Sequence, residues 1–355
     1  MKKIKIFMFV CAAVLTAGAF AVSGHVFGIS SREYYQDDGS FCHLTAGDSF
    51  RYAENHPAFS EFASFIQPWK DRWNLLTTPF ESIDFVCRLN HTSTDSILDG
   101  FNFVIDAAGE QEIFFDFYTD EERAADPGLE ETGLIFIPGD KDKPVAVLAS
   151  GGGFRSVCLF LEGFPVGKRL HEDGYNVVLL KYRVDPDMTD LRRAEEIQGP
   201  KANEDYRRAM RFLFANQKEL NINMEDYSVW GFSAGGYLTS MYGLDNEYGY
   251  KAEGLPCPAA MVLVYSGWYE EKFRDAYSTM PPVYFAYLPE DDVIGRERAD
   301  GIVRLKEYLQ GLGIKAESSS YHTARHGFGE GRGTDAEGWI QKAAAFWEEQ
   351  CADLE

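Results

Sequence analysis

Residues 227–236 have the sequence YSVWGFSAGG, in which a short apolar run leads into Gly231-Phe232-Ser233-Ala234-Gly235. The run has the length and composition of a buried strand, and a helix is predicted after Ser233. A sharp strand-to-helix turn projects a serine hydroxyl beyond the sheet, and such a turn needs small residues two positions before and after the serine. The glycines meet that need. The segment therefore predicts a nucleophilic serine at the carboxyl end of a strand.

Strand and helix patterns alternate on both sides of this turn from about residue 132 onward. The predicted strands are residues 133–137, 144–149, 175–182, 227–232, 260–265, 283–288 and 316–321. Helices are predicted between Pro165 and Gly174, around residues 206–213, after Ser233 and over residues 298–312, and the last helix is predicted to open with a capping box of Thr334 and Glu337. This alternation predicts the α/β class, with a mostly parallel central sheet and helices on both faces.

A serine is a weak nucleophile at neutral pH and needs a base, which in this kind of sheet follows the serine and the acid in the chain. Only His322 and His326 follow Ser233. His326 begins a His-Gly-Phe-Gly loop after the last predicted strand, where an imidazole can reach the strand ends, so His326 is the predicted base and His322 is assigned a structural role. A metal site formed by both histidines at helical spacing is disfavoured, because the glycines argue against a helix there.

The acid of such a triad is expected in the loop that leaves a strand between the serine and the histidine. The predicted strand 283–288 runs into Pro289-Glu290-Asp291-Asp292. We choose Asp291 as the acid that accepts the imidazole N–H, with Asp292 second and Glu290 third. An acidic surface turn without a catalytic role is the alternative interpretation of this segment.

A glycine-rich turn completes the candidate site. The predicted strand 144–149 ends in Ser150-Gly151-Gly152-Gly153-Phe154. Glycines after a buried strand allow backbone N–H groups to point inward, as a substrate oxyanion requires. Gly152, Gly153 and Ala234 are therefore predicted to form an oxyanion hole. A phosphate-binding loop is disfavoured, because neither G-x-G-x-x-G nor a lysine-bearing P-loop follows.

The chain has 355 residues, of which 45% are hydrophobic and 25% are charged, as in ordinary globular proteins. The formal net charge of −22 argues against a nucleic-acid partner, since phosphates require a basic surface. A disordered or collagen-like chain is also excluded by this composition. Oligomeric state is not indicated by the sequence.

Residues 1–22 have the pattern of a signal peptide. Three lysines, at positions 2, 3 and 5, precede an apolar run over residues 6–22, with a small-residue cleavage site after Ala21. This pattern predicts export to the periplasm or the outside of the cell. The alternative is a membrane anchor formed by residues 6–22, because the run is nearly long enough to span a bilayer.

Residues 29–130 are rich in aromatic side chains and are predicted to form an N-terminal accessory segment that packs on a catalytic domain of residues 131–355. Strands are predicted at 101–105 and 112–118, and one helical face is formed by Phe59, Phe62, Ile66 and Trp73, interrupted at Pro68. Formation of part of the pocket wall is the alternative role for this segment.

After removal of the predicted signal peptide, five cysteines remain. Isolated, mostly buried thiols are favoured over a Cys42–Cys87 disulfide.

Residues 132–350 resemble an α/β-hydrolase of the bacterial esterase type, especially the carbohydrate acetyl-esterase-like group. Gly151-Gly152-Gly153-Phe154 resembles its oxyanion segment, Glu162-Gly163-Phe164-Pro165 the segment before its first helix, and Gly231-Phe232-Ser233-Ala234-Gly235-Gly236 its nucleophile turn. Asp291 falls where the acid of the group lies, and His326-Gly327-Phe328 matches its histidine loop.

The residues predict a secreted serine hydrolase that cleaves small carboxylic esters without a metal or organic cofactor. The resemblance implies acetylated carbohydrate as the substrate class. A prolyl-oligopeptidase-like peptidase and a lipase for longer acyl chains are the alternatives with the same triad order. A binding module without catalytic activity is a fourth interpretation, and it requires a broken triad, whereas every part is present here.

Overall fold

The computed structural model describes residues 33–66, 74–83, 92–188, 190–266 and 274–352. The predicted signal peptide, Trp73 and Cys87 lie outside these ranges, so the structure does not describe them. Within the described ranges, no helix combines the length and the apolar composition that crossing a bilayer requires.

An eight-stranded sheet forms the centre of the molecule, in the order β1-β2-β4-β3-β5-β6-β7-β8. β1 pairs antiparallel with β2, β2 pairs antiparallel with β4, and the remaining neighbours pair in parallel. The prediction of a mostly parallel sheet is therefore confirmed. The strands are β1 (Phe114–Phe115), β2 (Gly133–Ile137), β3 (Val145–Ala149), β4 (Asn176–Lys181), β5 (Ser228–Phe232), β6 (Ala260–Val264), β7 (Val283–Tyr287) and β8 (Ala316–Ser320).

Helices precede, connect and follow the strands of this sheet. They are α1 (Phe50–Glu54), α2 (Asn74–Thr77), α3 (Thr94–Glu110), α4 (Asp120–Ala125), α5 (Phe164–Glu172), α6 (Leu191–Ala215), α7 (Ala234–Tyr242), α8 (Arg296–Gly311) and α9 (Trp339–Ala352). A π-helical turn, Leu159–Gly163, leads directly into α5. Pro165 lies in the first turn of α5, and Gly174 follows the helix with a φ of 87°.

The side chains of β5 alternate between two helical layers. Trp230 and Phe232 pack against Trp339 of α9, with ring centroids 6.0 and 6.1 Å apart. Gly231 faces the opposite way, toward Thr239 of α7. Because successive strand residues point to opposite faces, helices cover both faces of the sheet. All five residues of β5 are buried.

The segment before β2 differs from its prediction. Residues 101–105 belong to the 17-residue helix α3 rather than to a strand, and of the predicted strand 112–118 only Phe114–Phe115 pairs as β1. Ser93 caps α3 by accepting the N–H of Ser96 with its side-chain oxygen. The predicted strand is therefore wrong at 101–105 and too long at 112–118.

The aromatic accessory segment packs on the chain around the π-helical turn and α5. Phe50 contacts Phe160 with ring centroids 5.0 Å apart, and Phe101 contacts Phe164 at 5.5 Å. Gly100 allows α3 to approach closely, since a Cβ there would lie 2.9 Å from that of Phe164. Phe59, Phe62 and Ile66, which are predicted to share one helical face, are buried. Phe59 and Ile66 lie on two separate 3₁₀ turns (Pro57–Phe59 and Ala63–Ile66), so the predicted helix does not form over residues 59–66.

The last helix begins later than its predicted capping box. Thr334 donates its hydroxyl to the carbonyl of Gly331, and Glu337 accepts the N–H of Gly333, so both side chains stabilise a loop. Gly338, with a φ of 83°, separates this loop from α9. The capping box is therefore wrong.

The prediction of mostly buried thiols is wrong as well: of the four cysteines described, Cys158 is buried, Cys257 is exposed, and the other two are half-buried.

Candidate active site

Ser233 lies on a strained turn between β5 and α7. Its φ of 48° and ψ of −116° are unusual for a residue with a side chain. The turn is possible only because its neighbours are small: a Cβ on Gly235 would lie 2.0 Å from the carbonyl oxygen of Ala149, and one on Gly231 would lie 2.4 Å from Thr239 Oγ1. The Ser233 N–H donates to the carbonyl of Val264 on β6. The turn therefore holds the hydroxyl at the carboxyl edge of the sheet.

His326 lies within hydrogen-bond distance of both proposed triad partners. Its Nε2 is 2.8 Å from Ser233 Oγ, and its Nδ1 is 2.8 Å from Asp291 Oδ2. In the neutral tautomer that fits these contacts, Nδ1–H donates to the carboxylate and Nε2 accepts the serine hydroxyl. The structure thus brings together three residues that are distant in the chain, in the arrangement that proton transfer from the serine requires.

Asp291 is buried, whereas Asp292 and Glu290 are exposed. Its Oδ1 accepts the N–H groups of Val293 and Ile294 at 2.9 and 3.0 Å, which leaves Oδ2 for the histidine. Burial by itself would raise the pKa of Asp291, but the hydrogen bond from His326 and those from the two amides lower that pKa below its usual value. The carboxylate is therefore ionised at neutral pH and faces the imidazole.

His322 takes no part in this arrangement. Its side chain is exposed, and its backbone N–H donates to Asp335 at 2.6 Å. Asp335 also accepts the N–H groups of Thr323 and Ala324, and its pKa falls to about 2: partial burial opposes this shift, and the hydrogen bonds outweigh it. Among the described residues, no group of three or more His, Cys, Asp or Glu side chains is placed to hold a metal ion.

The glycine-rich turn after β3 lies directly against Ser233. A Cβ on Gly151 would lie 2.8 Å from the Cβ of Ser233, so only glycine permits this approach. Gly152 and Gly153 follow with φ values of 133° and 64°, in the region that favours glycine. Ala234 is the first residue of α7, whose N-terminus points at the same place. Gly152 and Gly153 thus follow the residue that lies against Ser233, and Ala234 follows Ser233 directly.

Glu162 and Tyr265 also belong to this site, although sequence reasoning gave neither of them a role. Glu162 is buried beneath the glycine turn, where its Oε2 accepts the N–H of Gly151 at 2.5 Å and its Oε1 accepts the hydroxyl of Tyr265 at 2.9 Å. The Tyr265 ring packs against the His326 ring, with centroids 4.9 Å apart. The available signal was a lone carboxylate in the apolar run 157–166, since a buried charge needs partners.

Burial raises the pKa of Glu162 to about 6, although hydrogen bonds from Gly151 and Tyr265 and the nearby imidazole of His326 act in the opposite direction. The site therefore contains a serine hydroxyl hydrogen-bonded to an imidazole, a carboxylate bonded to the other nitrogen of that imidazole, a glycine turn, and a second carboxylate. This combination is suited to acyl transfer, in which a hydroxyl attacks a carbonyl and an oxyanion develops.

The architecture and this site together define an α/β-hydrolase-fold protein. The BD-FAE family model, which describes a domain of α/β-hydrolase type, matches residues 135–254. The match includes the glycine turn and Ser233 and ends before Asp291 and His326. The predicted α/β-hydrolase fold is confirmed by this match and by solved structures. No curated protein has a significantly similar sequence.

Three solved structures share this fold. An acetyl ester-xyloside bifunctional hydrolase from Caldicellulosiruptor lactoaceticus is 21% identical, with a TM-score of 0.53, and the match covers 66% of this chain and 95% of that one. A sugar hydrolase from Lactococcus lactis is 20% identical, with a TM-score of 0.51, and the match covers 63% of this chain and 96% of that one. One of two fungal esterases from Rhizomucor miehei is 19% identical, with a TM-score of 0.50, and the match covers 63% of this chain and 81% of that one.

Proposed function

We propose that this protein is a serine carboxylic-ester hydrolase that cleaves small, acetyl-like acyl esters through Ser233, His326 and Asp291. The observation that carries the proposal is the unbroken hydrogen-bonded series from Ser233 Oγ to His326 to Asp291, with 2.8 Å at each step. It lies beside the glycine turn of residues 151–153, and we assign the N–H groups of Gly152 and Gly153 to the oxyanion hole.

The reaction follows from the geometry. As Ser233 Oγ attacks the ester carbonyl, His326 Nε2 takes its proton, and Asp291 stabilises the imidazolium that results. The N–H groups of Gly152, Gly153 and Ala234 donate to the oxyanion of the tetrahedral intermediate. The imidazolium then protonates the departing alcohol, which leaves an acyl-enzyme. Water attacks the acyl group after giving a proton to His326, and the carboxylic acid is released with Ser233 restored.

Acetylated carbohydrate is the substrate class that we propose. The support is the resemblance of the oxyanion, nucleophile and histidine segments to carbohydrate acetyl-esterase-like enzymes, together with the names of two structural neighbours, one an acetyl ester-xyloside hydrolase and one a sugar hydrolase. The proposal includes export, on the basis of the signal-peptide pattern of residues 1–22. A polyanionic substrate is disfavoured by the net charge of −22.

A substrate panel tests this proposal. Hydrolysis rates are compared for p-nitrophenyl esters from acetate to decanoate, for acetylated xylo-oligosaccharides and for a dipeptide amide. We expect the acetates to give the highest kcat/KM, and Ser233→Ala to lower kcat by about 10⁵-fold or more while the melting temperature stays nearly unchanged. Highest activity on decanoate would favour a lipase, cleavage of the amide would favour a peptidase, and full activity of the Ser233→Ala protein would contradict the mechanism.

A further inference from the structure

Buried contacts connect the two loops that form the candidate site. The Gly151 N–H, at the start of the glycine turn, donates to Glu162 Oε2, and the Tyr265 hydroxyl donates to Glu162 Oε1. The Tyr265 ring in turn packs against the rings of His326 and Phe328 in the histidine loop. Glu162 and Tyr265 are buried, and water therefore does not compete for these bonds. One carboxylate thus links the oxyanion turn to the loop of His326.

We infer that Glu162 is a positioning residue for the proposed esterase site, which holds the Gly151 amide and, through Tyr265, the His326 loop in register with Ser233. The inference rests on the proposed function, because it assigns a role in that reaction. Tyr265 fits the role for a second reason. Its ring packs between the His326 ring at 4.9 Å and the Phe328 ring at 4.7 Å, so a displaced Tyr265 would displace the base.

The network requires the ionised form of Glu162. Each carboxylate oxygen already accepts one hydrogen bond, from the Gly151 N–H and from the Tyr265 hydroxyl, so an added proton would compete with one of these donors. The titratable groups that face this carboxylate are Tyr265, His326 and, from the end of β4, Tyr182, whose hydroxyl donates to the carbonyl of Ser150. Burial raises the pKa of this carboxylate to about 6, and the nearby His326 imidazole opposes that shift.

Two isosteric substitutions separate positioning from packing. Glu162→Gln keeps the volume but removes the charge and one acceptor, and Tyr265→Phe removes only the hydroxyl that joins Glu162 to the histidine loop. We expect kcat on p-nitrophenyl acetate to fall about 10- to 100-fold in each variant, with KM within about threefold of the wild-type value. Because both substitutions interrupt one chain, the double variant should lose little more than the more impaired single variant.

The pH profile gives a readout that a purely structural role would not change. In the wild-type enzyme, Glu162 must lose its proton to accept both donors, so its ionisation should contribute to a fall of log(kcat/KM) below about pH 6. In Glu162→Gln this ionisation is absent. The acid limb of the profile should therefore be less steep in the variant than in the wild-type enzyme.

Tyr227→Phe is the matched control. Tyr227 is equally buried, and its hydroxyl donates to the carbonyl of Pro256 at the amino end of the sheet, remote from Ser233. We expect this variant to lose stability without a change in kcat or in the pH profile. A folded Glu162→Gln or Tyr265→Phe protein with kcat within twofold of the wild-type value and an unchanged acid limb would overturn the inference. Activity that survives Ser233→Ala would instead overturn the proposed function, so the two failures are distinguishable.

Discussion

Ser233 is held in a conformation that a serine does not adopt without support. A positive φ on a residue with a side chain costs about 1–3 kcal/mol, which the surrounding structure must offset. Here β5 fixes the residue before it, α7 fixes the residues after it, and Gly235 brings the backbone of α7 against the carbonyl oxygen of Ala149. In this conformation the Ser233 hydroxyl lies 2.8 Å from His326 Nε2. An ordinary extended conformation at Ser233 would point the hydroxyl elsewhere.

Gly235→Ala tests this dependence on backbone contact. The added methyl would lie 2.0 Å from the Ala149 carbonyl oxygen, and we expect the free energy of unfolding to fall by about 3 kcal/mol or more because neither backbone can move freely. Urea denaturation measures the change. Gly311→Ala, at the end of α8 with nothing near its Cβ, is the control and should leave stability equal or slightly higher. Equal, small effects at both positions would contradict the role of Gly235.

Asp291→Asn and Asp292→Asn form a matched pair for the acid. With asparagine at the first position, a single side-chain oxygen would have to accept both the backbone amides and the Nδ1–H of His326, so we expect kcat to fall about 10³- to 10⁴-fold. Asp292 is exposed, and its substitution should leave kcat within about twofold. Steady-state hydrolysis of p-nitrophenyl acetate measures both. A larger loss in Asp292→Asn would contradict the geometry of the site.

The sequence predicted where the main residues of the site lie, because order along the chain limits the choices. Only two histidines follow Ser233, and a cluster of acids follows one strand. The sequence alone therefore reduces the candidates for the base to two residues and those for the acid to one short segment. The choice among Glu290, Asp291 and Asp292 depends on which side chain the loop turns inward. The role of Glu162 depends on contacts with Gly151 and Tyr265 from two other segments, which no local pattern encodes.

Among the elements, α3 shows why a local pattern can mislead. Phe101, Phe103 and Ile105 alternate as strand residues do, but Ile97, Phe101 and Val104 also follow helical spacing. The buried side of α3 is broad, because the helix packs against α5 and several aromatic residues at once, so residues of both patterns are buried. By contrast, β3 to β7 are short continuous apolar runs bounded by turn residues, and their identity could be predicted.

The loop that carries His326 is attached to two helices. Glu330 is buried and accepts Arg169 Nε of α5 at 2.8 Å, and it also forms an ion pair with Arg332. Arg332 reaches Asp99 of α3 at 3.1 Å. The accessory segment therefore contacts the histidine loop directly through charged side chains, in addition to its apolar packing. Because Glu330 is desolvated, its hydrogen bonds should matter more than the exposed pair with Asp99.

Glu330→Gln and Asp99→Asn test that ranking. We expect Glu330→Gln to lower the free energy of unfolding by about 2 kcal/mol and to lower kcat, because the histidine loop loses its charged attachment to α5. Asp99→Asn should change stability by less than about 1 kcal/mol. Thermal melts and p-nitrophenyl acetate kinetics measure both effects. If the exposed pair proved the stronger one, this description of the loop would be wrong.

At the scale of the whole molecule, the accessory segment and the sheet share one core. Phe101 is fully buried, and its ring lies within 6 Å of Phe50, Phe59, Phe80 and Phe164, so it joins several parts of the segment to α5. β1 extends the sheet itself by pairing with β2. The segment packs on α5, and the π-helical turn that contains Glu162 runs directly into α5. The segment therefore contributes to the packing beneath the site.

Phe101→Ala tests whether the molecule unfolds as one unit. Loss of a fully buried ring should lower the free energy of unfolding by about 3–5 kcal/mol. Fluorescence and circular dichroism should follow one coincident urea transition in both the wild-type and the variant protein, at a lower midpoint in the variant. Two separate transitions, with only the first shifted by the substitution, would show that the accessory segment folds independently of the sheet.

Covalent labelling of Ser233 is the most direct test of the proposed chemistry. The wild-type protein is treated with a fluorophosphonate at neutral pH, and the modified residue is located by peptide mass spectrometry. We expect one stoichiometric adduct on Ser233, formed much more slowly in Asp291→Asn and absent in Ser233→Ala. Stoichiometric labelling of a different residue, or an unmodified Ser233 in a protein that hydrolyses p-nitrophenyl acetate, would contradict the account.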